Sequence, residues 1–207
     1  MSNIFDDLYS VEGKVVLVTG GSRGIEVCDE TAKRISETFG GTCISIPSDL
    51  SQMVGIESLV KRFGEMEDKL DVLVNNAGAA WGAPIEDFPE IGWDKVMDVN
   101  VKGVFFLTQK LLPKLRKAAE SGTPARVINI GSIDGLKSAR FDTFSYGASK
   151  AAVHHLTRFL AAHLTNEKIL CNAIAPGPYP TWMLSTGVGF GGETENADWE
   201  SVGEGNP

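Results

Sequence analysis

Cysteine is scarce in this chain of 207 residues: Cys28, Cys43 and Cys171 are the only three, and no two form a CxxC pair. An odd, scattered set excludes a disulfide framework and a zinc site, and it points to a reducing, cytoplasmic setting. Basic residues are the minority, 19 Lys and Arg against 27 Asp and Glu, for a formal net charge of −8. Binding to nucleic acid or to an anionic membrane needs clustered cations, so neither partner is expected. No apolar run approaches the ~18 residues of a membrane span. The first ten residues, MSNIFDDLYS, lack the basic start and apolar stretch of a secretory leader, so none is expected. What is present is 43% hydrophobic and 22% charged, enough for one domain with a sizeable core and too little for two.

Short β-branched runs alternate with longer helical patterns. The runs at 14–19 (KVVLVT), 42–47, 71–75 (DVLVN), 126–130 (RVINI) and 170–175 read as strands. The stretches 26–39, 52–68, 93–119 and 144–165 read as helices, the third kinked by Pro113. Strand alternating with helix predicts an α/β fold, a Rossmann-like, doubly wound parallel sheet of about five strands in three layers. Residues 182–207 differ in kind, with six Gly, five Asp or Glu and no Lys or Arg. They read as a Gly-rich acidic flap or tail beyond a domain spanning 1–181.

Chemistry-bearing residues cluster where these strands end. Thr19-Gly20-Gly21-Ser22-Arg23-Gly24-Ile25 joins the first strand to a helix. Glycines at such a turn let backbone N–H groups approach a phosphate, and the helix N-terminus adds partial positive charge. Tyr146 and Lys150 stand four apart in SYGASKAAVHHL and so share a helix face. An ordinary phenol, with pKa ~10, is a poor acid–base catalyst near neutrality, and an adjacent ammonium can lower that value. Asn75-Asn76-Ala77-Gly78 follows the third strand, Ser132 the fourth and Pro176-Gly177 the fifth, while Asn100 lies within a helix. Open α/β sheets bind ligands beyond such C-terminal strand ends. His154, His155 and His163 share one helix without an i,i+4 pair, so no metal site is expected.

The combination TGGSRGI, DL, NNAG, N, S, YGASK and PG resembles the short-chain dehydrogenase/reductase family over residues 14–183. The resemblance implies that Tyr146 is the acid–base residue and that Lys150 lowers its pKa and holds the nicotinamide ribose. It implies that Ser132 orients the substrate carbonyl and that Asn100 anchors a water relay behind Lys150. Gly20, Ser22, Arg23, Gly24 and Ile25 would follow the pyrophosphate, Asp49 and Leu50 the adenine, and Asn76, Ala77 and Gly78 the cleft floor. Pro176, Gly177 and Thr181 would grip the nicotinamide end. Arg23 beside a 2′-phosphate favours NADPH over NADH.

The chain departs from the family pattern at Glu26, where a third glycine is usual, and between Ile25 and Asp49, which holds one helix where a helix, a strand and a second helix are usual. One strand–helix unit and the C-terminal helix and strand are therefore expected to be missing. The function expected is NADPH-dependent reduction of a small ketone, most like the 3-oxoacyl reductase branch that includes the rhamnolipid-type enzymes. The alternative is an impaired relative that acts as an oligomerisation partner. A homodimer is expected through the helices at 93–119 and 144–165.

Overall fold

The computed structural model describes residues 10–20, 25–138 and 141–177. Strand β1 (Val16–Val18) is followed by helices α1 (Ile25–Phe39) and α2 (Met53–Met66), then strand β2 (Val72–Asn75). Helix α3 (Glu90–Met97) passes through a π-helical turn (Asp98–Gly103) into α4 (Val104–Ala119). Strand β3 (Ala125–Ile130), helix α5 (Phe144–Leu164) and strand β4 (Ile169–Ile174) complete the order. The four strands form one parallel sheet in the order β1-β2-β3-β4.

Lateral rows across this sheet decide what each face carries, because side chains alternate along a strand and registered neighbours share a face. One face holds the row Leu17, Leu73, Val127 and Cys171. It is covered by Ile56, Leu59 and Phe63 of α2, by Leu107, Leu111 and Leu115 of α4, and by Leu164 of α5. The spacing of three and four residues in α2 and of four in α4 makes the stripes that seal against the sheet. The opposite face holds Val16, Val72, Arg126 and Leu170 in one row and Val18, Val74, Ile128 and Asn172 in the next. There Val16 and Val18 are 43% and 53% exposed. Helix α1 buries only Ala32 among the side chains described and leaves Val27, Ile35 and Phe39 exposed.

A polar row interrupts the covered face. Asn75 and Asn129 are registered neighbours on β2 and β3. The Asn75 amide donates to Asn129 Oδ1 at 2.8 Å and to Thr108 Oγ1 of α4 at 3.1 Å, while Asn129 Nδ2 donates to Thr157 Oγ1 of α5 at 2.9 Å. Both threonine hydroxyls donate back to their own helices, to Val104 O and Val153 O. All four residues are buried.

Two sequence expectations change. The segment 42–47 joins no ladder, so the sheet has four strands among the described residues. Cys43 N donates instead to Ser36 Oγ at 2.9 Å, Ile46 packs against the core, and Pro47 has no N–H. The helix expected at 93–119 is two helices, broken at the π turn, and α4 continues as helix through Pro113. The break falls at Gly103, where a Cβ would stand 2.7 Å from the Leu50 carbonyl oxygen.

Candidate active site

The C-terminal ends of β1 and β2 are locked together by Thr19. Its hydroxyl accepts from the backbone N–H groups of Asn76 and Ala77, both at 3.0 Å. The Asn76 side chain returns the tie by donating to Thr19 O at 2.9 Å and Gly20 O at 3.2 Å. Gly20 has φ +74°, and a Cβ there would lie 2.7 Å from Ala77 Cα. Only glycine satisfies both the left-handed backbone and this close approach. Thr19-Gly20 at the end of β1 and Asn76-Ala77 after β2 are therefore packed together.

Asn100 reaches that surface from the π turn. Its amide accepts from Ala79 N at 2.8 Å and donates to Ala79 O and Ser149 Oγ, both at 2.9 Å. Ser149 Oγ in turn donates to Tyr146 O at 2.7 Å. A side chain only 1% exposed thus ties the loop after β2 to the turn of α5 that carries Tyr146 and Lys150. The extra residue of a π turn shifts the face a side chain occupies, a feature common at functional sites.

Lys150 is 5% exposed, and its ammonium donates to Ile130 O at 2.7 Å. Burial lowers its pKa to about 8. Its Nζ stands 5.5 Å from the centroid of the Tyr146 ring, over the aromatic face. The Tyr146 phenol is raised above its ordinary value: burial is the main cause, the Asp134 carboxylate adds to it, and a hydrogen bond with the Ser132 hydroxyl opposes it. This geometry therefore does not give the depressed phenol expected from an ammonium beside Tyr146, because the cation faces the ring and the Ile130 carbonyl.

Ser132 caps the short turn Ile133–Gly135, its Oγ accepting from Asp134 N at 3.2 Å. That turn rests directly on α5: a Cβ on Gly135 would lie 2.5 Å from the Lys150 carbonyl carbon. The Asp134 carboxyl is raised by burial. It lines a cavity of about 480 Å³ beside the turn, together with Leu136, Phe141, Phe144 and Gly147.

The other expected residues fall into three groups. Asp49 closes on Ser51, accepting from its hydroxyl at 2.7 Å and its N–H at 2.9 Å, and these bonds hold its carboxyl below the usual range. Gly55 and Gly103 let the Asp49 and Leu50 carbonyls pack against the helix starts. Pro176 joins the reacting side, since its carbonyl accepts from Ile133 N at 3.1 Å, and Gly177 follows it, exposed. Ser22, Arg23, Gly24 and Thr181 lie outside the described residues, as does residues 182–207; Ile25 opens α1, with its side chain outside the description. Sequence reasoning missed Thr19, Ser149, Asp134 and His154. Thr19 alone had a local signal, a hydroxyl at the strand end just before the glycines.

The family model for short chain dehydrogenases matches residues 26–187. The chain belongs to that family. Among curated short-chain dehydrogenases and reductases it is 45% identical over 197 residues to a rhamnolipids biosynthesis 3-oxoacyl-[acyl-carrier-protein] reductase of Pseudomonas aeruginosa, covering 84% of this chain and 76% of the relative. That alignment runs over more positions than the share of this chain it covers, so the relative carries residues with no counterpart here, in keeping with a shortened family member. A 2-dehydro-3-deoxy-D-gluconate 5-dehydrogenase of Dickeya dadantii is 33% identical over 189 residues, covering 82% of this chain and 73% of the relative. Among solved structures, the Pseudomonas aeruginosa RhlG/NADP active-site complex superposes with a TM-score of 0.80 at 44% identity, over 86% of this chain and 77% of that one. The Rossmann-like fold is thus that of this oxidoreductase family.

Proposed function

We propose that this chain reduces a ketone carbonyl with NADPH, Tyr146 delivering the proton, on a 3-oxoacyl-type or related small substrate. The observation that carries the reading is the convergence of Tyr146 and Lys150 of α5, Ser132 of the turn after β3 and Asn100 of the π turn, three separate segments, at the C-terminal ends of β2 and β3. Support for a dinucleotide beside them comes from the glycines: Gly20 sets no side chain against Ala77 between the first two strand ends, and Gly78 keeps the approach to Asn100 and Lys150 open. Lys150 spends one of its three N–H donors on Ile130 O, leaving two for a ribose. Gly20, Asn76, Ala77, Gly78, Tyr146 and Lys150 would hold the cofactor, with Asp49, Leu50, Pro176 and Gly177 at its two ends. Ser22, Arg23, Gly24, Ile25 and Thr181 extend the same site by resemblance. The reductase of 45% identity and the NADP-bound complex support the phosphorylated cofactor.

Bound there, the nicotinamide supplies a hydride to a carbonyl carbon. Burial keeps the Tyr146 phenol protonated at neutral pH, so it is loaded as an acid for the oxygen that receives the charge. The Ser132 hydroxyl, hydrogen-bonded to that phenol, orients the same oxygen. Asn100 fixes the segment of α5 from which Tyr146 and Lys150 project. Exposed Trp93, Phe105 and Phe159 on α3, α4 and α5 support a homodimer through these helices. Tyr146→Phe keeps the packing and removes the proton donor, and the expected loss in NADPH-dependent ketone reduction, followed at 340 nm, is ~10²–10⁴-fold. A variant retaining more than about half the rate overturns the assignment of Tyr146 as the acid.

A further inference from the structure

We infer that His154 is a positioning residue for Ser132, holding the serine's backbone so that its hydroxyl meets Tyr146. The inference rests on the reductase reading for its consequence in catalysis, but the contact itself does not. His154 lies two turns along α5 from Tyr146, and its Nε2 stands 2.9 Å from Ser132 O and 3.4 Å from Ser132 N. One ring nitrogen cannot both donate to the carbonyl and accept from the N–H. The shorter contact assigns the proton to Nε2, donating to Ser132 O.

The fit around the ring is close. A Cβ on Gly131 would lie 2.3 Å from His154 Cε1 and 2.6 Å from Nε2, so the imidazole approaches a backbone that only glycine can offer. Ser132 O also accepts from Gly135 N at 3.1 Å, closing the turn that carries Asp134. The neighbouring groups are tied as well, Gly131 N to Ile174 O at 2.7 Å and Ile133 N to Pro176 O at 3.1 Å. These strand-side bonds fix the turn along the sheet. The imidazole is the one side chain seen to hold the Ser132 peptide from α5, the helix that carries Tyr146. The distance between the serine hydroxyl and the phenol is therefore set by two contacts of one helix.

The test combines kinetics with a spectroscopic readout. His154→Leu removes the donor, and a fall in kcat of about ten- to a hundredfold with KM within threefold is expected; His154→Gln, whose amide N–H reaches a similar point, should recover most of it. In the double variant with Ser132→Ala, His154→Leu should cause no further loss. Losses that multiply, or equal losses in Leu and Gln variants, overturn the inference. Long-range ¹H–¹⁵N correlation of the three histidines, assigned by the peak lost in His154→Leu, reads the latch without any turnover. A protonated, slowly exchanging Nε2 supports it, and an unprotonated Nε2 overturns it. If Ser132→Ala leaves the reduction intact, the catalytic reading of Ser132 fails while the spectrum still decides the contact.

Discussion

Leu17, Leu73, Val127 and Cys171 look toward three helices, whereas Val16, Val18, Leu170 and Ile174 look the other way from the same strands and stay exposed. Both sets are apolar, as in a parallel sheet buried on two faces, although Arg126 and Asn172 interrupt the second face. The contrast teaches which half of the molecule holds the site of the proposed chemistry. Asn100, Tyr146, Lys150 and His154 all project from the π turn and α5 on the covered side, where packing fixes them to within a hydrogen bond. Residues expected to meet the nucleotide, at Gly20 and at Asp49-Leu50, lie around α1 and 42–47, the thinly packed part of the chain.

Four measurements sharpen or break that comparison. Leu111→Ala on the covered side, at a residue fully buried, should cost about 2–5 kcal/mol in urea unfolding; a cost below about 1 kcal/mol would mean that this side is loosely packed too. Next is Lys150, whose pKa falls from 10.5 to about 8 on folding. Below pH 8 the ammonium is charged in both states and its burial burdens the fold. Between pH 8 and 10.5 the unfolded chain keeps a proton that the folded one has released, so stability should rise with pH, by up to about 3 kcal/mol in all. Lys150→Met should abolish that rise, and an unchanged slope would place the effect on another group.

Thiol labelling gives the third. Burial raises Cys171 to about 11, whereas Cys28 and Cys43 are half-buried on and after α1. With a disulfide reagent at pH 8, Cys171 should react at least ~100-fold more slowly than an ordinary thiol, from its thiolate fraction alone, and catch up in denaturant. Rapid labelling of all three in the native protein would show the covered face opening. The smallest effect is expected on the other face: Val16→Thr and Val18→Thr should each change stability by less than about 0.5 kcal/mol. A loss above 2 kcal/mol at either position would show that this face is covered in solution.

The alternation that built the sheet was legible in sequence because it is local. The runs expected at 14–19, 71–75, 126–130 and 170–175 are short and mostly apolar, and a strand lies at each of them. The fifth run, TCISIP, carries the same local signal, but it joins no ladder, and the bond of Cys43 N to Ser36 Oγ is a contact that the run itself does not announce. The π turn was illegible for a related reason: nothing in DVNVKG marks an extra residue, which arises from the contact of Gly103 with a carbonyl 53 positions earlier. Tyr146, Lys150, Ser132 and Asn100 were singled out through motif resemblance, and the structure brings them together, while His154 read as an unremarkable helix residue. Its partner is 22 positions away, beyond any periodicity.

The buried row Thr108–Asn75–Asn129–Thr157 has a consequence for how the chain finds its sheet. Hydrophobic side chains are interchangeable, so an apolar strand displaced by two residues against its neighbour still presents grease to grease. Two amides side by side are not forgiving. Such a slip would separate Asn75 from Asn129 and strand both among leucines and valines, at a cost of about 1–3 kcal/mol for each unsatisfied group. The row therefore acts as an index mark, favouring the alignment of β2 on β3 in which Asn75 meets Asn129 over its near neighbours.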